Sequence, residues 1–221
     1  MRNLLKSLLV IAICAIPVVA MAQTESCIVK TKGVKPTIKD FAKAYCSECE
    51  EGESFERNAL AELNKVNTKQ WVIDTKNGYA KYTEKQGDVV ETLEMCFWNC
   101  TNKNEKLVAV NRVSNGMGFD ESFLYFYRYN VKTKEMKLID APFDREPQPV
   151  DMLNKAKASK KVTNEVKTAE NEDANKYQPC YQLPRVGKNI TFRMADPNAV
   201  PKAMQRTGTM VWNGASFKID K

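Results

Sequence analysis

The sequence predicts an α+β fold: an N-terminal helix pair packed on a largely antiparallel β-sheet meander, ending in a C-terminal β-hairpin. Three observations predict it. Apolar residues recur with a helical period through residues 36–63. After Thr68 the period drops to two, and turn residues punctuate it at short intervals. The strands also follow one another without intervening helical stretches, which favours antiparallel neighbours over β-α-β units.

A leader precedes the fold. Arg2 and Lys6 form a positive start, residues 4–19 are mostly apolar, and Ala20-Met21-Ala22 is a small-x-small cleavage pattern. Together they read as a secretory signal peptide cut after Ala22. The apolar core is shorter than the ~20 residues a spanning helix needs. No second apolar run of that length follows, so no transmembrane segment is expected once the signal is removed. Cys14 is preceded by Ile13, where a lipoprotein signal would place a small residue. Residues 23–221 are then expected as one β-rich α+β domain, periplasmic or secreted. Its parts are a helical part (23–68), an antiparallel meander (69–141), a polar crossover (142–184) and C-terminal strands (185–221).

In the first helix, Ile38, Phe41, Ala42, Tyr45, Cys46 and Cys49 form one apolar stripe, with Thr37 as its cap. Gly52 breaks the helix. A second follows, with Ser54 near its start and Phe55, Ala59, Leu60 and Leu63 inward. Trp71 and Ile73 open the meander. Lys76-Asn77-Gly78, Gln86-Gly87-Asp88 and Asn102-Lys103-Asn104 then separate strands at 79–82, 89–99 and 107–113. A glycine-bearing loop over 114–120 leads to an aromatic strand at 121–130, and a further strand is expected at 136–139. Pro142, Pro147 and Pro149 end this pattern, and residues 150–178 are polar, with no aromatic before Tyr177. Strands resume at 189–194. A final hairpin, 207–212 and 215–219, turns at Asn213-Gly214 as a type I′ turn. The ending Trp212-Asn213-Gly214 with Phe217 resembles terminal hairpins of exported bacterial β-rich proteins, which implies a cellular setting and no activity.

Composition excludes several chemistries. The chain has no His, which removes Ser-His-Asp and Cys-His catalysis, histidine metal sites and c-type haem attachment. GxSxG, P-loop and GxGxxG motifs are absent. The formal net charge of +7 falls by the two charges of Arg2 and Lys6, leaving an ordinary solubility charge and no nucleic-acid partner. Asp120-Glu121 and Asp144-Arg145-Glu146 supply carboxylates, but no pattern sets two of them across a cleft.

The cysteines form the one constellation with chemical potential. Cys14 leaves with the signal, and an even set remains: Cys27, Cys46, Cys49, Cys96, Cys100 and Cys180. In an exported chain such a set points to disulfides. On one strand Cys96 and Cys100 face the same side but stand ~13 Å apart. A disulfide tolerates at most ~7 Å between Cα atoms, so they bond each other only if the strand ends or bulges before Cys100. Cys46 and Cys49 have the spacing of a thiol–disulfide redox pair. They fall at a helix C-terminus among Glu48, Glu50, Glu51 and Glu53, which disfavours the reactive thiolate. Cys46, Cys49, Cys96 and Cys100 are also the only thiolate set with zinc-like spacing.

The aromatic strand gives a binding expectation. Alternation places Phe123, Tyr125, Tyr127 and Tyr129 on one face. If that face is open, Tyr125, Tyr127 and Tyr129 form a platform with phenols ~6.6 Å apart for a sugar or a partner's apolar side chains. If it meets the helices, the tyrosines are core. The functional expectation is therefore an exported, soluble, non-catalytic binding protein without a cofactor. Its partner would be a protein or glycan in the cell envelope or outside the cell. A redox protein using Cys46 and Cys49, or a structural envelope component, stands as the alternative.

Overall fold

The computed structural model describes residues 26–31, 33, 35–48, 54–65, 68–116, 119–153, 178–195, 200 and 202–220. The expected leader, Cys49 and most of the polar crossover (154–177) lie outside the described residues.

The two helices form where the apolar stripes place them. Helix α1, Ile38–Glu48, buries Ile38, Phe41, Ala42, Ala44, Tyr45 and Cys46. Its first turn is closed reciprocally. Asp40 Oδ2 accepts from the Thr37 N–H at 2.8 Å, and Thr37 Oγ1 accepts from the Asp40 N–H at 3.4 Å. Helix α2, Ser54–Leu63, buries Phe55, Ala59 and Leu63, and also Glu56. The Glu56 carboxylate is buried because Arg112 reaches it from the sheet: Nη1 lies 3.3 Å from Glu56 Oε1, and Nη2 lies 3.5 Å from Glu91 Oε1.

The strands are β1 (Ser26–Ile28), β2 (Trp71–Asp74), β3 (Tyr79–Gln86), β4 (Val89–Asn99), β5 (Glu105–Gly116), β6 (Phe119–Asn130), β7 (Glu135–Ile139), β8 (Pro179–Gln182), β9 (Ile190–Met194), β10 (Gly208–Trp212) and β11 (Phe217–Ile219). A large sheet has the order β1-β7-β6-β5-β4-β3-β2, and a small one β11-β10-β9-β8. All neighbouring strands are antiparallel, so the α+β meander is the observed architecture.

Both faces of the large sheet are covered, and the two-residue period sorts its side chains between them. On one face Leu93, Met95, Val108, Val110, Tyr127 and Tyr129 pack with α1 and α2. Phe41 of α1 stands 5.0 Å from Tyr129 and 5.3 Å from Phe97, ring to ring. Trp71 donates its indole N–H to the Ala59 carbonyl of α2 at 2.8 Å. On the other face Tyr79, Cys96, Trp98, Leu107, Ala109 and Phe126 pack against the small sheet. There Trp98 lies 5.2 Å from Phe217 and donates to the Lys188 carbonyl at 3.0 Å.

The structure departs from the sequence reading in four places. Strands β1 and β8 arise in the parts read as helical (23–68) and as a polar crossover (142–184), and each is short enough to carry no alternation signal. The loop expected over 114–120 contracts: β5 runs to Gly116 and β6 begins at Phe119, with residues 117–118 outside the described set. The final hairpin is not a two-residue type I′ turn. Trp212 pairs with Phe217, and Asn213 Oδ1 accepts the N–H groups of Ala215 and Ser216, both at 2.9 Å. That side-chain bonding stabilises a four-residue loop. Two-residue geometry occurs instead between β3 and β4, where Gly87 takes φ 62°.

Candidate functional site

The tyrosines of β6 do not form an open platform. Phe123, Tyr125, Tyr127 and Tyr129 share the face over which α1 lies. Tyr127 and Tyr129 are only 2% and 1% exposed. Tyr45 of α1 stacks edge-on against Tyr127 at 6.1 Å, and Tyr125 packs partly buried against the same core. The tyrosine stripe is core because a helix occupies the space a ligand would need. Only Phe123, at the end of the row, is substantially exposed.

The cysteines are dispersed. Cys46 is 2% exposed, in the last turns of α1 on the helix side of the large sheet. Cys96 is buried on the other side, among the residues facing the small sheet. Cys100 follows directly on the end of β4 and packs partly buried on Cys96's side, as a spacing of four on an extended chain requires. The large sheet thus separates Cys46 from Cys96, and the zinc-like set is not brought to one point. Among the described residues no cluster of three or more Cys, His, Asp or Glu could hold a metal ion, and no disulfide is formed. Burial pushes the Cys96 thiol well above its ordinary range, with the Glu94 charge adding to the effect. Cys100 is raised by burial too. The redox pair has one member in view, Cys46. It is buried near a helix C-terminus, where the partial negative charge disfavours thiolate.

The structure assembles a different site. The apolar contacts of the small sheet lie toward one end of the large sheet, around Cys96, Trp98, Leu107 and Phe126. Toward the other end, Val90, Thr92, Val113 and Asn115 line a cleft of about 440 Å³. Its opposite wall is Cys180, Tyr181 and Gln182 of β8 with Thr191, Phe192 and Arg193 of β9.

Two buried carboxylates anchor the cleft. Glu94 sits on β4 between Leu93 and Met95 and points to the small-sheet side. Its Oε1 accepts from the Tyr79 hydroxyl at 2.9 Å, and its Oε2 accepts from the Leu183 N–H at 3.2 Å. Lys81 Nζ stands 3.8 Å from Oε1. Directly across the ladder from Glu94 is Asn111. Its amide donates to the Tyr181 carbonyl at 2.8 Å and accepts from the Ser122 hydroxyl at 2.8 Å. Ser122 Oγ in turn accepts the Tyr181 N–H at 3.1 Å. This chain of bonds fixes β8 over β4, β5 and β6. The second carboxylate, Asp120 at the start of β6, forms an ion pair with Arg193 of β9. Arg193 also donates to the Met194 carbonyl at 2.9 Å.

Burial pushes the Cys180 thiol up to about 11, with Arg193 pulling against it. Burial and the Glu94 charge raise the Tyr79 phenol, so it stays a hydrogen-bond donor.

Sequence reading missed Glu94, Asn111 and Arg193, and saw Asp120 only as an isolated carboxylate. A signal for Glu94 existed: it interrupts an otherwise continuous apolar stretch, Leu93 to Trp98, on a strand long enough to be central. Its partners come from register and from the small sheet, which no local pattern encodes. Comparison with protein-family models, curated proteins and solved structures finds no match to this chain.

Proposed function

We propose that the protein is an exported, non-catalytic binding protein whose cleft between the two sheets takes a glycan. The observation that carries this reading is the cleft lining: polar groups already held in place beside aromatic rings. Glu94 is fixed by Tyr79 and Leu183, and Asp120 by Arg193, next to Tyr181 and Phe192. A sugar presents hydroxyls that both donate and accept, together with an apolar C–H face. The lining answers with carboxylate acceptors, Lys81 and Arg193 as donors, and Thr92, Asn115, Gln182 and Thr191 as either. Groups ordered before the ligand arrives lose little further freedom on binding. Export rests on the leader expected at 1–22.

The test is a screen of immobilised oligosaccharides with the wild-type chain and two variants. Thr92→Trp fills the cleft from the β4 wall, whereas Lys39→Ala changes an exposed residue on α1. The wild type is expected to retain at least one oligosaccharide, Lys39→Ala to retain it equally, and Thr92→Trp to lose it more than tenfold. Retention by a folded Thr92→Trp protein, or no retention by the wild type, defeats the reading.

A further inference from the structure

Strand β6 pairs with β5 along its whole length, from Phe119 to Asn130, but with β7 only over Phe126 to Tyr129. Its first part therefore has no strand on the side away from β5 among the described residues. The β5–β6 register is unbroken, so main-chain groups alternate strictly between the two sides. The Asp120 N–H points away from β5, since it donates to the Ala195 carbonyl at 3.2 Å. By the same period the N–H and C=O groups of Ser122 and Leu124 also point outward, and no described main-chain group bonds to them.

Among the described residues this edge is a window with two jambs. Ala195 closes it at Asp120, and Ile139, opposite Phe126, closes it at the other end. The five residues between, 121–125, span ~16 Å. Where β7 leaves β6, a groove of about 640 Å³ opens, lined by Leu124, Tyr125, Ile139 and Ala141. Phe123, 42% exposed, stands on the same stretch.

We propose that this window docks a short extended peptide from a partner protein, added as a strand along Ser122–Leu124. Two outward N–H and two outward C=O groups in strand spacing are complemented by an extended main chain. The recess limits the length: about five residues fit between the jambs. A second copy of this chain would bring a β6 edge recessed between the same two jambs, so the two edges cannot meet. The groove beside Leu124 takes an apolar side chain of the peptide. The exposed carboxylates of Glu121 and Asp140 outnumber Lys137 at the rim and favour basic residues flanking it. The window meets the cleft at Asp120 but uses the main-chain groups of Ser122 and Leu124, which do not line the cleft, so the failure of either reading leaves the other standing.

The test follows the Ser122 and Leu124 amides of the ¹⁵N-labelled protein by NMR. The probes are a series of acetylated, amidated pentapeptides, Lys-Val-X-Val-Lys, with X varied over Val, Leu, Phe and Thr, and their N-methylated counterparts. Both amides should exchange rapidly in the free protein. With at least one probe at millimolar concentration they should shift and slow at least tenfold, while the N-methylated peptides change neither. Phe123→Lys, at an exposed position, should weaken the response several-fold with the rest of the spectrum preserved. Three results overturn the proposal: amides already protected in the free monomer, no response to any member of the series, or equal response to the N-methylated peptides. Protection that rises with protein concentration alone, with a doubled sedimentation mass, assigns the edge to a second copy and overturns it as well.

Discussion

Gly208 on β10 lies opposite Phe192 on β9. A Cβ at Gly208 would fall 2.2 Å from the Phe192 ring Cζ. The backbone there is an ordinary strand, so the glycine is required by crowding and not by conformation. Gly208→Ala should destabilise the fold by about 1–3 kcal/mol through overpacking, seen as a lower urea midpoint at unchanged slope. An unmoved midpoint would mean that the ring swings aside without cost. Cys180 gives a second prediction at this scale. Burial holds its thiol up to about 11, above the ordinary value of 9.0. Above pH 9 the unfolded chain releases this proton before the folded one does, so the unfolded state gains. Cys180 therefore supports the fold fully below pH 9, and that support is lost as pH rises toward 11, by on the order of 2 kcal/mol. Urea titrations from pH 8 to 11 should show this fall, and Cys180→Ala should make it shallower by about that amount. An equally steep fall in Cys180→Ala would assign the effect to the Cys96 thiol and to buried phenols such as Tyr79 and Tyr181, which burial also raises.

Among the elements, α2 is tied to the sheet by a buried ionic cross-link. Arg112 of β5 reaches Glu56 of α2 and Glu91 of β4, and its guanidinium lies 5.2 Å from the Phe55 ring centre. Arg112→Ala removes the cation that faces a buried carboxylate and should cost about 3–5 kcal/mol. Replacing both partners, Glu56→Leu with Arg112→Met, should recover most of that loss, because the desolvation cost leaves with the charges. If the double variant is no more stable than Arg112→Ala in urea, the cross-link is not what holds α2. The same residues show what a sequence can and cannot display. Ile38, Phe41 and Tyr45 announce α1 because burial there follows the helix's own period, and the apolar run from Leu93 to Trp98 announces β4. Glu56 in α2 and Glu94 in β4 break the apolar patterns of their own elements. Their burial is tolerated only because Arg112, Tyr79 and Leu183 arrive from elsewhere in the chain. Strand β8 was unreadable for a related reason. Its four residues are held by pairing with β9 and by the Asn111–Ser122 bonds, not by any pattern of their own.

For the whole molecule, the decisive feature is that one sheet serves two cores. Strands β4, β5 and β6 send alternate residues to the helices and to the small sheet, so Met95 and Cys96 are neighbours in sequence but belong to different clusters. Losing the small sheet would bare Trp98, Leu107 and Phe126 to water. It would also break the Glu94–Leu183 and Asn111–Tyr181 bonds that tie β8 to the large sheet. Losing the helices would bare Tyr127 and Tyr129 in the same strands. Neither half can leave without exposing a face of the other's scaffold, which predicts one cooperative transition. The tryptophans report the two sides separately: Trp71 lies in the helix-side core, whereas Trp98 and Trp212 lie between the sheets, with ring centres 6.1 Å apart. In a Trp71→Phe variant, fluorescence reads only the inter-sheet side, and in a Trp98→Phe, Trp212→Phe variant only the helix side. Each fluorescence curve in urea should superimpose on the far-ultraviolet circular dichroism curve of the same variant. An inter-sheet signal lost at lower urea than the dichroism would show the small sheet detaching first. The cleft would then be carried by a locally labile layer, and its bonds to Glu94 and Asn111 would be weaker than their geometry implies.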